Sequence, residues 1–581
     1  MDKFSPEAKA VLKIGHKFAF NKRLKNSMAL LINNVHDKFQ GRINTLSSQE
    51  RDNWKAWKLN SLRYIARLTP RLSEPLTRVL KKGIQDLKEM NVIVKQADKN
   101  FGLVAIRGDI YNGMLMENLN EPTYVKVDSF PHSEILQRMT NILRLTKSIR
   151  QWERQKMIKF AEEAKEACPF YVIPKLHKKK LGSRPISPQH SYMLAPLSKA
   201  LAKTLQGISD GILEIAKDSR DVVRRLETFN TDTPYVFVTY DVEKLYPSIN
   251  LQDAVETLQR NLEVMQEDNN FWTKVLKLIM FNNYVTARGQ TYRQMVGTAT
   301  GTQVAPPFAN LYLYFKFKEV LEDEDILFQS RYIDDGLLMV KTLEKANQVM
   351  TRLNQASNLS LTHDISSETA TYLDITVYKG TRFKEDRTLD LKVYFKPTNK
   401  LLYLPARSHH PGTMKTGIVT GEAIRTLRNT SDKTEWLKAM AHIFKGLLQR
   451  GYDPLKIKQK WSKIKFEDRE RYIFEETTRE TQTKDIVLTW YNDDTYKYWK
   501  GLLAKHPMEK VLIQKKPGVY DKKQQTIMDN WPPTIIYHEF DKLGKKVISA
   551  KASWEYPKLN QVPNQRPKGP NFGPLEPRNT P

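Results

Sequence analysis

Two adjacent carboxylates, Asp334 and Asp335, interrupt an otherwise apolar run, Phe328-Gln-Ser-Arg-Tyr-Ile-Asp-Asp-Gly-Leu-Leu-Met-Val, and the rest of the chain can be placed by its distance from them. Apolar residues before the pair, a glycine after it and a second apolar run predict two short strands joined by a tight turn, with both aspartates at an exposed tip. Neighbouring carboxylates repel, so the arrangement is costly unless a cation sits beside them, and hard oxygen ligands suit Mg²⁺. The bland alternative is a solvated turn. A second pair, Asp493 and Asp494, also follows an apolar run, but the sequence after it looks helical and offers no return strand, so it reads as a helix cap. A two-metal site at the first pair needs a third carboxylate, from the end of a strand that can lie beside the hairpin.

Asp241 meets that requirement. Tyr235-Val-Phe-Val-Thr-Tyr has the β-branched and aromatic composition of a buried strand and runs directly into Asp241-Val-Glu-Lys-Leu-Tyr-Pro-Ser-Ile, so the carboxylate sits where a strand ends. Between the acidic positions lies Gly297-Thr-Ala-Thr-Gly-Thr-Gln-Val-Ala-Pro-Pro-Phe-Ala-Asn, a loop of small residues that lets a backbone approach closely and that opens an apolar helix running to about Lys318. Upstream, Asn91 to Ile106 has a hairpin pattern with Asp98 to Gly102 as its turn. Pro169 to Ser187 reads as two extended segments flanking a loop packed with cations, a flexible basic hairpin suited to closing over a triphosphate.

Strand and aspartate, glycine loop and helix, then a Tyr-Ile-Asp-Asp hairpin: this order resembles the palm of a reverse transcriptase. The resemblance is to the reverse transcriptases of Penelope-like retroelements, of the endonuclease-lacking type, which are related to telomerase-type reverse transcriptases. Further matching stretches are Tyr171-Val-Ile-Pro-Lys-Leu-His-Lys, Arg184-Pro-Ile-Ser, Tyr372-Leu-Asp-Ile-Thr-Val, Val393-Tyr-Phe-Lys-Pro-Thr, Ser408-His-His-Pro, Lys415-Thr-Gly-Ile and Gly421-Glu-Ala-Ile-Arg. The resemblance runs from the Ser5-Pro-Glu region to about residue 515. It implies an α+β right-hand polymerase with an antiparallel palm sheet: residues 1–90 a helical N-terminal extension, 91–230 the fingers, 231–390 the palm with core motifs over 170–380, 391–515 the primer grip and helical thumb, and 516–581 a weakly ordered, basic, Pro-rich tail. No Gly-Ile-Tyr run or following Tyr-Ile-Gly of a GIY-YIG nuclease follows the thumb region.

The resemblance also implies roles. Asp241 and Asp334 bridge two Mg²⁺ ions, for which Mn²⁺ could substitute; the carbonyl of Val242 adds a ligand, and Asp335 supports. Lys175 and Arg184 meet the phosphates of the incoming nucleotide, and an arginine can clamp a phosphate through two parallel hydrogen bonds. Tyr246 lies under the sugar and excludes a 2′-hydroxyl, so deoxynucleotides are the expected substrate. Thr302 and Gln303 are expected among the substrate-binding residues, and they stand where the family carries Ser-Pro, a departure that bears on loop rigidity and template placement. Lys396 points at the primer phosphate. Ile457, Trp461 and Ile464, at helical spacing beside Lys460 and Lys463, suggest a thumb helix tracking a duplex backbone. His363 is an available acid for pyrophosphate, though a lone histidine is more often structural. His409 and His410 have no further metal ligands close in sequence.

The bulk of the chain is consistent with such a partner. Its 581 residues suffice for several subdomains, and 94 Lys and Arg against 65 Asp and Glu give a formal charge of +29, for which nucleic acid is the economical polyanion. With Cys168 as the single cysteine no internal disulfide forms, and no apolar run has signal-peptide or membrane-spanning length, so an intracellular protein is expected. Nuclear placement is implied by the resemblance alone. The expected partners are an RNA template, a DNA primer and dNTPs. Two alternatives stay open: a host-retained reverse-transcriptase-like protein with terminal transferase activity, and a catalytically inactive nucleic-acid-binding protein.

Overall fold

The computed structural model describes residues 4–19 and 75–475 with short interruptions, a few helical positions between 48 and 63, and two short strands, Val487–Trp490 and Thr534–Tyr537. Leu62, Ile65, Leu68, the lysines 178–180, the Asp493–Asp494 pair and nearly all of the tail after 516 lie outside the described residues.

The N-terminal helix Pro6–Ile14 starts where Ser5 caps it, the hydroxyl accepting from the Ala8 amide at 3.0 Å with proline at the first turn. It packs against the helix Pro75–Glu89 through Ala8, Val11, Leu80, Ile84 and Leu87. Arg78, Lys81 and Lys82 of the second helix face outward, and Lys82 pairs with Glu7 at 2.7 Å.

In chain order the strands are β1 (Val92–Gln96), β2 (Leu103–Arg107), β3 (Tyr124–Val127), β4 (Cys168–Pro169), β5 (Tyr171–Lys175), β6 (Gly182–Ile186), β7 (Val236–Val242), β8 (Tyr284–Ala287), β9 (Gln290–Gln294), β10 (Ile326–Tyr332), β11 (Asp335–Val340), β12 (Leu361–Ser366), β13 (Thr369–Tyr372), β14 (Ile375–Tyr378) and β15 (Asp390–Val393). Both anticipated N-terminal hairpins form: β1 pairs with β2 and β5 with β6, each antiparallel. The central sheet has the order β10-β11-β7-β12 and is antiparallel throughout.

β7 carries no polar alternation because both of its faces are covered. Val238, Tyr240 and Val242 join Leu338, Val340 and Leu361 in the main core, while Phe237 joins Leu337 and Met339 against the sheet β13-β14-β15. Most of the helix Ala305–Leu321 is buried on all sides as well, with Phe308, Leu311, Tyr312, Leu313 and Phe317 in the core, while Lys318 and Glu319 near its end are exposed. Each such side chain contributes about 1.5–3 kcal/mol relative to exposure.

The sheets do not follow contiguous stretches of sequence. β8 and β9, from within 231–390, pair with β3 and β4 from 91–230, and the main core runs from Ile135 to Leu361. After β15 come the helices Gly412–Arg428, Lys433–Gln449, Pro454–Trp461 and Arg469–Phe474. The helix Pro454–Trp461 is shorter than the spacing of Ile457, Trp461 and Ile464 suggests. It ends at Trp461, whose indole donates to the Val419 carbonyl at 3.0 Å, and Ile464 is buried from a following turn. Lys460 is therefore helical and Lys463 lies beyond the helix, both exposed. Among the described residues no helix is long and apolar enough to cross a membrane.

Candidate active site

β7 and β11 are registered so that Asp241 stands directly opposite Asp335. β10 and β11 close with Tyr332 opposite Asp335, which leaves Ile333 and Asp334 as a two-residue turn. Ile333 has φ 57°, a left-handed conformation that a β-branched residue rarely adopts. The carbonyl of Asp334 accepts from the Val242 amide at 3.1 Å, tying the turn to the end of the central strand.

Two expectations about this hairpin need correction. The aspartates do not form an exposed tip: both are half-buried, because β7 flanks the hairpin and the second sheet rises beside it. The glycine is not part of the turn either. Gly336 lies inside β11 opposite Tyr240, and a Cβ there would come 2.0 Å from the Tyr240 ring, so the glycine makes room for the aromatic side chain.

The electrostatics follow from this packing. Burial, the charges of Asp334 and Asp241, and a hydrogen bond donated to Asp241 push Asp335 up to about 6, against the pull of Lys396. Burial and then the Asp241 charge also raise Asp334, with its own backbone, Arg184 and Lys396 opposing. Lys396 and Arg184, far apart in sequence, thus both bear on Asp334. Lys396 is exposed and lies past the end of β15, which stops at Val393, so it sits in a loop and not on the expected primer-grip strand. Arg184, on β6, is half-exposed and pairs at 3.3 Å with Asp98 in the β1–β2 turn. Lys175 is on the neighbouring β5, partly buried and engaged by a neighbour.

Tyr246 sits in the short helix Leu245–Ser248 directly after β7. Burial, then the charges of Asp334 and Tyr332, push its phenol up to about 12, so it keeps its proton at neutral pH. The glycine loop packs on it: the Thr298 amide donates to the Tyr246 carbonyl at 2.8 Å, and a Cβ on Gly297, at φ 71°, would come 2.4 Å from the Pro247 Cα. Gln303 is exposed in this loop. Thr302 is not available: it is buried and its hydroxyl is hydrogen-bonded to Ser198 at 2.8 Å, because the first turn of the helix Ala305–Leu321 seats against the helix Ala195–Ser209.

A cleft of about 220 Å³ opens between the two sheets, lined by Asp241, Asp335, Thr362, Thr371, Tyr372 and Leu373 among others. His363 borders it but is registered opposite Tyr240, on the face away from Asp241 and Asp335. His409 and His410 serve a different end. The Ala19 amide donates to the Ser408 hydroxyl at 2.8 Å, the His409 amide donates to the Ala19 carbonyl at 3.1 Å, and His410 Nδ1 bonds the same hydroxyl at 2.8 Å, fastening the N-terminal segment to this loop.

The donor set suits a hard divalent cation. Asp241 and Asp335 face each other across two strands, with Asp334 adjoining and the Asp334 and Asp335 carboxyls strained towards protonation, the state that a cation replaces. Among the described residues no group of three or more acidic, imidazole or thiol side chains is gathered where it could hold a metal ion. Two residues of the site escaped the sequence reading. Arg331 and Asn310 lie against the turn, and the available signal was a charged residue inside a strand that leads straight to the aspartates.

Over residues 402–462, which hold the helices Gly412–Arg428, Lys433–Gln449 and Pro454–Trp461, the chain matches the animal helix-turn-helix domain family. No curated protein matches the chain. Among solved structures it is similar to telomerase from Candida albicans in complex with a TWJ fragment of telomeric RNA, at 11% identity over 72% of this chain and 70% of that one, TM-score 0.44. It is also similar to apo telomerase from Candida tropicalis, at 12% identity over 81% and 79%, TM-score 0.40. A third likeness is to the RNA-dependent RNA polymerase of a human picobirnavirus, at 11% identity over 78% and 88%, TM-score 0.36. These likenesses are too distant to assign a function, which rests on the arrangement of the carboxylates.

Proposed function

We propose that the chain is an RNA-directed DNA polymerase of a Penelope-like retroelement, a right-hand enzyme that transfers deoxynucleotides from dNTPs onto a primer 3′-hydroxyl. The observation that carries this reading is the registration of Asp241 against Asp335 with Asp334 in the adjoining turn, where the charges of Arg184 and Lys396 both act on Asp334. The Penelope-like assignment rests on the sequence motifs.

Two Mg²⁺ ions, when bound, neutralise the α-phosphate, lower the pKa of the primer hydroxyl and stabilise the leaving pyrophosphate. Asp241 and Asp334 would hold the ions, with the Val242 carbonyl as a further ligand and Asp335, opposite Asp241, as a supporting carboxylate. Arg184 moves from Asp98 to the nucleotide phosphates, with Lys175 beside it. Tyr246, whose backbone the Gly297–Thr298 loop packs against, would lie under the sugar and exclude a 2′-hydroxyl. Gln303 faces the base or template backbone. Lys396 neutralises a primer phosphate, and Lys460 and Lys463 follow the duplex.

Primer extension on an RNA template with Mg²⁺, comparing dNTPs with NTPs, tests the reading. The expected result is templated extension with dNTPs that Asp334→Asn abolishes. Untemplated addition alone would favour a terminal transferase, and salt-sensitive RNA binding without extension would favour a binding protein.

A further inference from the structure

Arg331 is 4% exposed, two residues before the turn that carries Asp334. Buried guanidinium groups ordinarily face a carboxylate. The hydrogen bonds of this one go to neutral oxygens: Nη1 donates to Asn310 Oδ1 and to the Ile333 carbonyl, each at 3.0 Å, and Nη2 donates to the Asn310 carbonyl at 2.7 Å. Its own backbone is fixed as well, its amide donating to the Glu214 carbonyl and its carbonyl accepting from the Ala216 amide, both at 2.8 Å.

The Ile333 carbonyl belongs to the peptide plane that leads into Asp334. Holding that oxygen sets the direction in which Asp334 leaves the turn. A β-branched residue at φ 57° is strained by about 1–3 kcal/mol and persists only where its surroundings over-determine it. Arg331 supplies that constraint, anchored to Asn310 in the helix Ala305–Leu321 that the glycine loop opens.

The molecule contains its own contrast. β13 and β14 are also joined by a two-residue turn, Leu373–Asp374, with Leu373 at φ 54°. There an arginine, Arg425, takes the aspartate side chain itself at 2.8 Å. At the catalytic turn the arginine holds the backbone and leaves the carboxylate to another ligand.

We infer that Arg331 is the positioning residue of the site, clamping the Ile333–Asp334 peptide against Asn310 so that the Asp334 carboxylate is presented for a divalent cation. This rests on the reading of the aspartates as cation ligands.

The test uses the full chain with Mn²⁺ as the probe, followed by spin-resonance titration, with primer extension in parallel. Folded Arg331→Met is expected to lose about 10- to 100-fold in Mn²⁺ affinity, with kcat lowered and KM for dNTP unchanged. Adding Ile333→Gly is expected to restore most of that affinity, because glycine adopts the left-handed conformation without the clamp; loss of core packing would not be rescued in this way. Wild-type affinity in folded Arg331→Met, or no rescue by Ile333→Gly, would overturn the inference. Should Arg331→Met fail to fold, Asn310→Ala and Arg331→Lys take its place, with a drop in Mn²⁺ affinity expected and unchanged affinity overturning it. A wild type that binds Mn²⁺ but does not extend refutes the polymerase reading alone, and one that binds none overturns both.

Discussion

Asp335 is where burial, charge and hydrogen bonding act on one side chain. Its folded pKa, about 6 against an ordinary 3.8, means that the folded chain binds the proton more tightly than the unfolded one. The associated stability is fully present below the ordinary carboxylate value and is lost as pH rises through about 6, so at neutral pH the ionised group opposes folding. Asp335→Asn is therefore expected to raise the melting temperature of the ion-free protein at neutral pH, by about 1–2 kcal/mol in stability once solvent screening of its exposed part is allowed for. Calorimetry with and without saturating Mg²⁺ checks this; a lower melting temperature in ion-free buffer would show that the carboxylates are not mutually strained. The hairpin that carries the carboxylates was legible, because the pair stands between two apolar runs, although the pair alone equally suits a solvated turn. Arg331 was harder to read, since its role depends on Asn310, which only folding brings beside it. Thr302 was misread for the complementary reason: nothing local shows that a hydroxyl in a small-residue loop is taken up by Ser198.

At the scale of elements, the hairpins around Asp98, between β5 and β6, and at Ile333–Asp334 were all written in alternation and turn chemistry, as was the strand leading to Asp241. Their ends were less legible. The glycine after the aspartates looked like turn punctuation, yet it lies within β11 to accommodate the Tyr240 ring. Gly336→Ala is accordingly expected to cost about 1–3 kcal/mol by overpacking, measured by denaturant unfolding, and to impair the site by shifting β11 against β7. An unchanged midpoint would mean that the Tyr240 ring gives way freely. The helix Pro454–Trp461 is shorter than its apolar spacing suggests, because that spacing continues through a turn whose Ile464 is buried without being helical.

Across the whole molecule, the N-terminal segment is fastened to the region after β15. Arg450 donates to the carbonyls of Tyr403 and Ile14, both at 2.7 Å, and so satisfies an open carbonyl at the end of the first helix. Ser408 and His409 fasten Ala19 beside it. Arg450→Met is expected to lose about 1.5–3 kcal/mol, seen as faster hydrogen exchange in residues 6–14, while Mn²⁺ affinity at the aspartates stays unchanged; unaltered exchange there would show the clasp to be incidental. By itself the sequence determined the strands, the turns, the acidic residues and the basic character of the chain, because alternation, turn preference and charge are properties of neighbouring residues. Only the tertiary structure decided that Asp241 faces Asp335, that Arg184 and Lys396 converge on Asp334, that β8 and β9 join β3 and β4, and that Arg331 supports the turn. Those relations depend on strand register and helix seating between distant stretches, which are set by burying two faces of one sheet at once.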